Sequence, residues 1–148
     1  MPHITKEKGD IGLTKIIADL TEQGFHCVLP LSDHLPFDLI VCDTNYKLYK
    51  VQIKYKTIEY HEHDQSGYIR LSLTTVYSTK KGNVVTHYNL TDFDYFAIYN
   101  PDTGKCFYIS TAEIINAGNT TTVNFKMSST DKNSRLIDNY LKFDKVAQ

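Results

Sequence analysis

The chain has 148 residues, 41% of them hydrophobic and 22% charged, with a formal net charge of −1. That length suits one domain whose core needs no metal or disulfide staple, and the composition is that of an ordinary globular protein. No apolar run suits a membrane span or a leader segment, and Cys27, Cys42 and Cys106 are odd in number and sit in apolar runs, so they are expected to be reduced core residues of a cytosolic protein.

The first helix is the clearest element. Leu13, Ile16, Ile17 and Leu20 fall at i, i+3, i+4 and i+7, one apolar stripe, and Gly24 stands where a C-terminal cap belongs. Phe25 to Leu29 reads as a strand stopped by Pro30, and Ser32 to Pro36 as a loop. Phe37 to Cys42 is an apolar run broken by Asp38 alone, the pattern of a buried strand. After the turn signal Asp43-Thr44-Asn45, the segment from Lys47 to Lys56 alternates. Tyr49, Val51, Ile53 and Tyr55 take one face; Lys50, Gln52, Lys54 and Lys56 take the other. The two strands are expected to form a hairpin with Asp38 near one end.

Residues 57–66 read as a polar loop. Residues 68–90, dense in Ser, Thr and Tyr, read as two strands joined by the basic segment Lys80-Lys81-Gly82-Asn83. Phe93 to Tyr99 and Cys106 to Ile109 form a hairpin turned by Asn100 to Gly104. Thr111 can cap a short helix from Ala112 to Ala117. A final helix from Ser134 to Phe143 carries Leu136, Ile137, Tyr140 and Leu141 as its stripe, assigned to the core in preference to an interface. The order predicts an α/β (α+β) fold, a single domain over residues 1–148 with a central mixed sheet.

Charge is unevenly placed. Residues 44–91 carry seven basic and three acidic groups, whereas residues 1–43 carry three basic and seven acidic. A basic middle in a near-neutral chain suits a one-sided phosphate-binding face; scattered surface charge gives the same count.

Asp38 is the residue that calls for an account. A carboxylate inside an apolar strand costs several kcal/mol to desolvate unless it is paired or binds a cation. Gln52 and Lys54, two apart on one strand, share a face that a hairpin brings toward Asp38. Carboxylate and amide oxygens, with the Ile53 carbonyl, suit Mg²⁺, and the lysine can activate water and offset charge on a phosphate. Spacing alone leaves a second reading open: an ordinary Asp38–Lys54 ion pair with Gln52 a bystander.

Pro36-Phe37-Asp38 followed after a gap by Gln52-Ile53-Lys54 resembles the PD-(D/E)xK, restriction-endonuclease-like superfamily. Further blocks are similar to its intron-associated branch, the cyanobacterial type of group I intron-encoded homing endonuclease. They are Lys8-Gly9-Asp10-Ile11-Gly12, Gln23-Gly24-Phe25, Phe37 to Val41, Tyr49 to Lys54, Asp94 to Tyr99 and Phe107-Tyr108-Ile109. The short motif is weak alone; the ordered blocks, over about residues 6–115, are far more specific. The resemblance implies a restriction-endonuclease-like core, a mixed sheet flanked by helices, with Asp38, Gln52 and Lys54 catalytic. Asp38, Gln52 and Ile53 would bind Mg²⁺, for which Mn²⁺ or Ca²⁺ can substitute. Glutamine at position 52 replaces the usual second acid, as that branch tolerates.

The first helix of such enzymes usually carries a glutamate where this chain has Leu13. Leucine cannot ligate metal. Either Leu13 belongs to the core and Asp10 substitutes, or the chain is an inactivated variant, the reading preferred on sequence.

The implied substrate is double-stranded DNA, and residues 65–91, free of acidic groups, are the candidate DNA-reading ribbon. Lys80 and Lys81 suit phosphates or guanine edges, Arg70 is the segment's bidentate donor, and Gln65, Ser72, Thr74, Thr79 and Asn83 supply short polar groups. Lys50 and Lys56 are further candidate contacts. One active site per chain implies a homo-oligomer, dimer or tetramer, on a pseudo-palindromic target, with no membrane partner. A structure-selective nuclease (junction resolvase or repair type) and a catalytically dead DNA-binding module remain alternatives. His61-Glu62-His63-Asp64 lacks zinc spacing and reads as a solvated loop.

Overall fold

Helix α1 (Ile4–Glu22) forms where the apolar stripe places it. Ile16 and Leu20 are fully buried, and Leu13 and Ile17 pack at the edge of the same core. The helix stops because Gly24 takes a left-handed backbone (φ 92°), open to a residue without Cβ, and the Phe25 N–H donates back to the Leu20 carbonyl at 3.0 Å. The computed structural model describes residues 4–115, 120–131 and 134–143. The strands are β1 (His26–Val28), β2 (Leu39–Cys42), β3 (Leu48–Tyr55), β4 (Glu59–Tyr60), β5 (Gly67–Ser72), β6 (Thr74–Thr79), β7 (Gly82–His87), β8 (Tyr95–Asn100) and β9 (Lys105–Ser110). After them come α2 (Thr111–Ile114), β10 (Thr122–Lys126) and a 3₁₀ turn (Ile137–Tyr140).

The expected central mixed sheet is present, in the order β1-β2-β3-β8-β9. Its β3 and β8 run parallel, with Gln52 opposite Phe96 and Lys54 opposite Ile98; its other neighbours are antiparallel. Helix α1 covers one face, where Ile16 and Leu20 meet Val51, Ala97, Tyr99 and Tyr108. On the other face Phe96, Ile98, Phe107 and Ile109 meet Ile69, Leu71, Val123 and Phe125. These last four belong to a second sheet of order β10-β5-β4. Strands β8 and β9 are therefore buried on both faces, which is why they read as nearly unbroken apolar runs. The hairpins β2–β3 and β8–β9 stand where the alternation and turn signals put them. Among the described residues, no helix is long and apolar enough to cross a membrane.

Five expectations need correction. Strand β2 begins at Leu39, so Asp38 lies just outside it and is exposed. The polar loop of residues 57–66 contains β4, which pairs Glu59 with Tyr68. Residues 68–90 hold three strands, not two: β5 is a core strand, with Ile69 and Leu71 fully buried between β4 and the unforeseen β10. Only β6 and β7 form a free-standing hairpin. Helix α2 is capped by Ser110, whose hydroxyl accepts from the Ala112 N–H at 3.3 Å. Thr111 cannot cap it, because its hydroxyl is turned inward to donate to the Phe93 and Asp94 carbonyls. Residues 116 and 117 of that expected helix lie outside the described residues. Lastly, the final helix is only the 3₁₀ turn. Its apolar side chains serve two cores: Ile137 enters the cluster under the second sheet, while Phe143 enters the cluster under α1. One face of a regular helix cannot reach both. The preference for core over interface holds, since Ile137 is fully buried and Tyr140 and Leu141 pack against its cluster.

The three cysteines are free thiols, Cys106 buried and the other two half-buried. Burial pushes the Cys106 thiol up to about 12 and raises that of Cys27.

Phe143 is fully buried, its ring 4.5 Å from that of Tyr95 and 5.0 Å from that of Phe25. Phe143→Ala is expected to lower the unfolding free energy by about 3–5 kcal/mol, measured by chemical denaturation.

Candidate active site

Strand β3 is longer than β2. Leu39, the first residue of β2, pairs with Val51, so Gln52 to Tyr55 run past the end of their neighbour. Asp38 finishes the edge. Its N–H donates to the Val51 carbonyl at 2.9 Å, and its carboxylate Oδ2 accepts from the Ile53 N–H at 2.9 Å. The Asp38 side chain is exposed, so no burial of its charge has to be offset by a cation. What fixes the carboxylate is a main-chain donor that β2 leaves unpaired.

Beyond this edge opens a cavity of about 610 Å³. Asp10 and Leu13 of α1, Asp38, and Gln52 and Ile53 of β3 line it, together with the loop from Leu29 to Asp33. Asp10 and Leu13 are one turn apart on the helix and share a face. Leu13 also packs against the core below.

Asp38 and Gln52 are thus brought to one cavity; Lys54 does not line it. The Lys54 ammonium donates a hydrogen bond to the Tyr88 hydroxyl, and Nζ lies 4.6 Å from the centre of the Tyr88 ring. That ring stands edge-on to Phe93 and Phe96, 5.9 Å from each. Among the described residues Asp38 forms no ion pair, with Lys54 or any other cation.

The donor set suits a hard cation. It comprises the Asp38 carboxylate, the Gln52 amide, the edge backbone at Ile53 and the Asp10 carboxylate, all oxygen donors of the kind Mg²⁺ takes. Among the described residues no three His, Cys, Asp or Glu side chains gather as a metal cluster. A cation here would therefore lean on amide and main-chain oxygens as well as acids.

The remaining candidates are spread over three places. Lys50 donates its N–H to Asp94 at 2.8 Å, and its Nζ lies 6.0 Å from the Phe37 ring. Lys56 follows β3; burial first, then the neighbouring Lys54 charge, lowers its pKa. Arg70 and Ser72 belong to β5, not to the hairpin. Arg70 pairs with Glu59 at 3.6 Å and donates to the Tyr68 hydroxyl at 3.1 Å. The Ser72 and Thr74 hydroxyls lie 3.1 Å apart. The hairpin β6–β7 is exposed from Thr75 to His87, with Lys80 and Lys81 at its tip. At that tip the Thr79 hydroxyl donates to the Gly82 carbonyl at 2.8 Å, and Ser78 donates to Asn83 at 2.9 Å. Gln65 sits in the preceding turn with φ 58°. In the same loop His61 stacks on Tyr68, and the Asp64 carboxylate is held below its ordinary pKa by Ser66 hydrogen bonds.

Sequence reasoning missed Tyr88. No local spacing links it to Lys54 across 34 residues.

A model of the PD-(D/E)XK endonuclease family matches residues 3–144. Among solved structures, that of a bacterial homing endonuclease, I-Ssp6803I, is similar, with a TM-score of 0.68 and 24% sequence identity. The alignment covers 93% of this chain and 88% of that one. At that identity the likeness is one of fold. No curated protein matches the sequence significantly.

Asn can accept from the Ile53 N–H as Asp does, whereas Ala cannot. Asp38→Asn is therefore expected to leave the melting temperature nearly unchanged, and Asp38→Ala to cost about 1 kcal/mol, measured by thermal and urea unfolding.

Proposed function

The chain belongs to the PD-(D/E)XK endonuclease family, and from that premise we propose that it is a site-specific double-strand DNA endonuclease of the intron-homing kind. The observation that carries this reading is the Asp38 carboxylate, fixed by the Ile53 N–H at the cavity that Gln52 and Asp10 also line. Asp38, Gln52 and the Ile53 carbonyl would hold Mg²⁺, with Mn²⁺ or Ca²⁺ as substitutes. Bound there, the cation supplies Lewis acidity for hydrolysis of a phosphodiester by water. The Lys54 ammonium offsets charge growing on the phosphate oxygens. Lys50 and Lys56 contact the backbone of the duplex.

We assign the carboxylate of the helix to Asp10, one turn before Leu13 on the same cavity wall. Leu13 packs against the core, as a native apolar residue does. The other reading, an inactivating substitution at Leu13, makes the opposite prediction. Bacterial genomic DNA incubated with the protein and Mg²⁺, with fragment ends sequenced, should give discrete cuts. Asp38→Asn, Lys54→Ala and Asp10→Asn should each slow cutting by about 10²-fold or more, and Leu13→Glu should not speed it. Activity appearing only in the Leu13→Glu protein supports the variant reading. Tight binding without any cutting supports a DNA-binding module, and cutting of branched DNA alone supports a junction resolvase.

Residues 65–91 form the DNA-reading segment in this proposal, with β6–β7 entering the major groove. Its charge sits at the tip, so Lys80 and Lys81 take phosphates while Thr74, Thr79 and Asn83 face base edges. Arg70 and Ser72 act from β5 at its base. Cutting both strands then calls for a homo-oligomer, dimer or tetramer, on a pseudo-palindromic site. Replacing both Lys80 and Lys81 by alanine should weaken duplex binding and reduce the slope of log K against log salt by about 1–2. An unchanged slope removes the ribbon from the interface.

A further inference from the structure

Tyr88 holds one cation through its hydroxyl. That hydroxyl accepts a hydrogen bond from the Lys54 ammonium, whose Nζ stands at the hydroxyl end of the ring, 4.6 Å from its centre. A lysine side chain carries many rotamers, and a fixed acceptor for its ammonium selects among them. Tyr88 is itself held. Phe93 and Phe96 stand edge-on to its ring, both fully or nearly fully buried. Its N–H donates to the Leu73 carbonyl at 2.8 Å, which closes the base of the β6–β7 hairpin. Phe96 lies opposite Gln52 across the β3–β8 pair, so the aromatic support of Tyr88 belongs to the strand next to the cavity.

We infer that Tyr88 is the positioning residue for Lys54: it sets where the ammonium stands relative to the strand end occupied by Asp38 and Gln52. This rests on the endonuclease reading, in which Lys54 offsets charge on the phosphate. The lysine alone has many ways to point; a hydroxyl whose ring is held by two phenylalanines leaves few. Because the same residue closes the hairpin, seating of the hairpin on DNA and the place of the lysine share one anchor.

The test uses the full chain and a duplex carrying a cut site mapped on genomic DNA. Single-turnover cleavage and duplex affinity are measured for the parent, Tyr88→Phe, Tyr88→Leu, Lys54→Met and the Tyr88→Phe/Lys54→Met pair. Phenylalanine keeps the ring and its packing and removes only the hydroxyl. Tyr88→Phe should cleave about tenfold slower with affinity within about twofold of the parent, the loss of one charge-assisted hydrogen bond felt in the chemical step alone. Tyr88→Leu, which also lacks the ring that packs on Phe93 and Phe96, should be at least as slow. In the Lys54→Met background the hydroxyl should make no difference, since a residue that acts through Lys54 has nothing left to act on. Equal rates for the parent and Tyr88→Phe, with Lys54→Met slow, would overturn the inference and leave the nuclease reading standing. So would an effect of Tyr88→Phe that persists without Lys54. If Lys54→Met cleaves like the parent, or the parent cuts nothing, the assignment of Lys54 fails and the inference with it.

Discussion

The hydrogen bond from the Ile53 N–H to the Asp38 carboxylate governs the candidate site. It exists because β3 outlasts β2, leaving a strand edge with polar main-chain groups and no neighbour. A side chain then takes over the role of the missing strand. An unpaired N–H is costly only when buried, so at this exposed edge the bond contributes modestly to stability. Its consequence is orientation: the carboxylate cannot swing away without giving up its donor. Everything else at the cavity is set relative to that point. Helix α1 lies on the opposite side of the cavity because Ile16 and Leu20 anchor it to Val51 and its neighbours, and that brings Asp10 and Leu13 to the wall.

The other face of β3 follows a different logic. Gln52 and Lys54 emerge beside Phe96 and Ile98, on the side where two sheets bury an aromatic cluster. Tyr88 accepts a hydrogen bond from the Lys54 ammonium at the border of the cluster. The half-buried Lys56 has its pKa lowered by burial and then by Lys54 beside it. Lys54 and Lys56 thus place positive charge where β3 leaves the sheet, near the base of the hairpin whose tip carries Lys80 and Lys81. The basic middle of the sequence is divided in the fold among β3 and its end, β5 and the hairpin tip.

How much of this was legible in the sequence depends on the range of the contacts. Helix α1 and the hairpins β2–β3 and β8–β9 carry their own signals: a helical stripe, strict alternation, and a turn of Asn, Pro, Asp and Gly. The pairing of β5 with β10 spans about fifty residues, and no local pattern announces it. Reading residues 68–90 as one ribbon followed from missing that partner. The last segment misled because Leu136, Ile137, Tyr140 and Leu141 fit a helical stripe, yet Ile137 and the Phe143 that follows serve separate cores. Asp38 was found for a reason the structure amends: an interruption in an apolar run marked it, but its place is a strand end, not a strand interior. Tyr88 carried no signal, since its importance comes only from Lys54 being folded against it.

In the proposed function the capped strand edge holds a divalent cation. The most direct measurement is Mn²⁺ binding, by titration calorimetry and electron paramagnetic resonance, to the full chain and to its Asp38→Asn form. The two proteins share fold and hydrogen-bond geometry at Ile53 and differ in one carboxylate charge. Saturable binding by the parent, displaced by excess Mg²⁺, is expected, with loss of that binding in Asp38→Asn. Equal Mn²⁺ binding by the two proteins would contradict it.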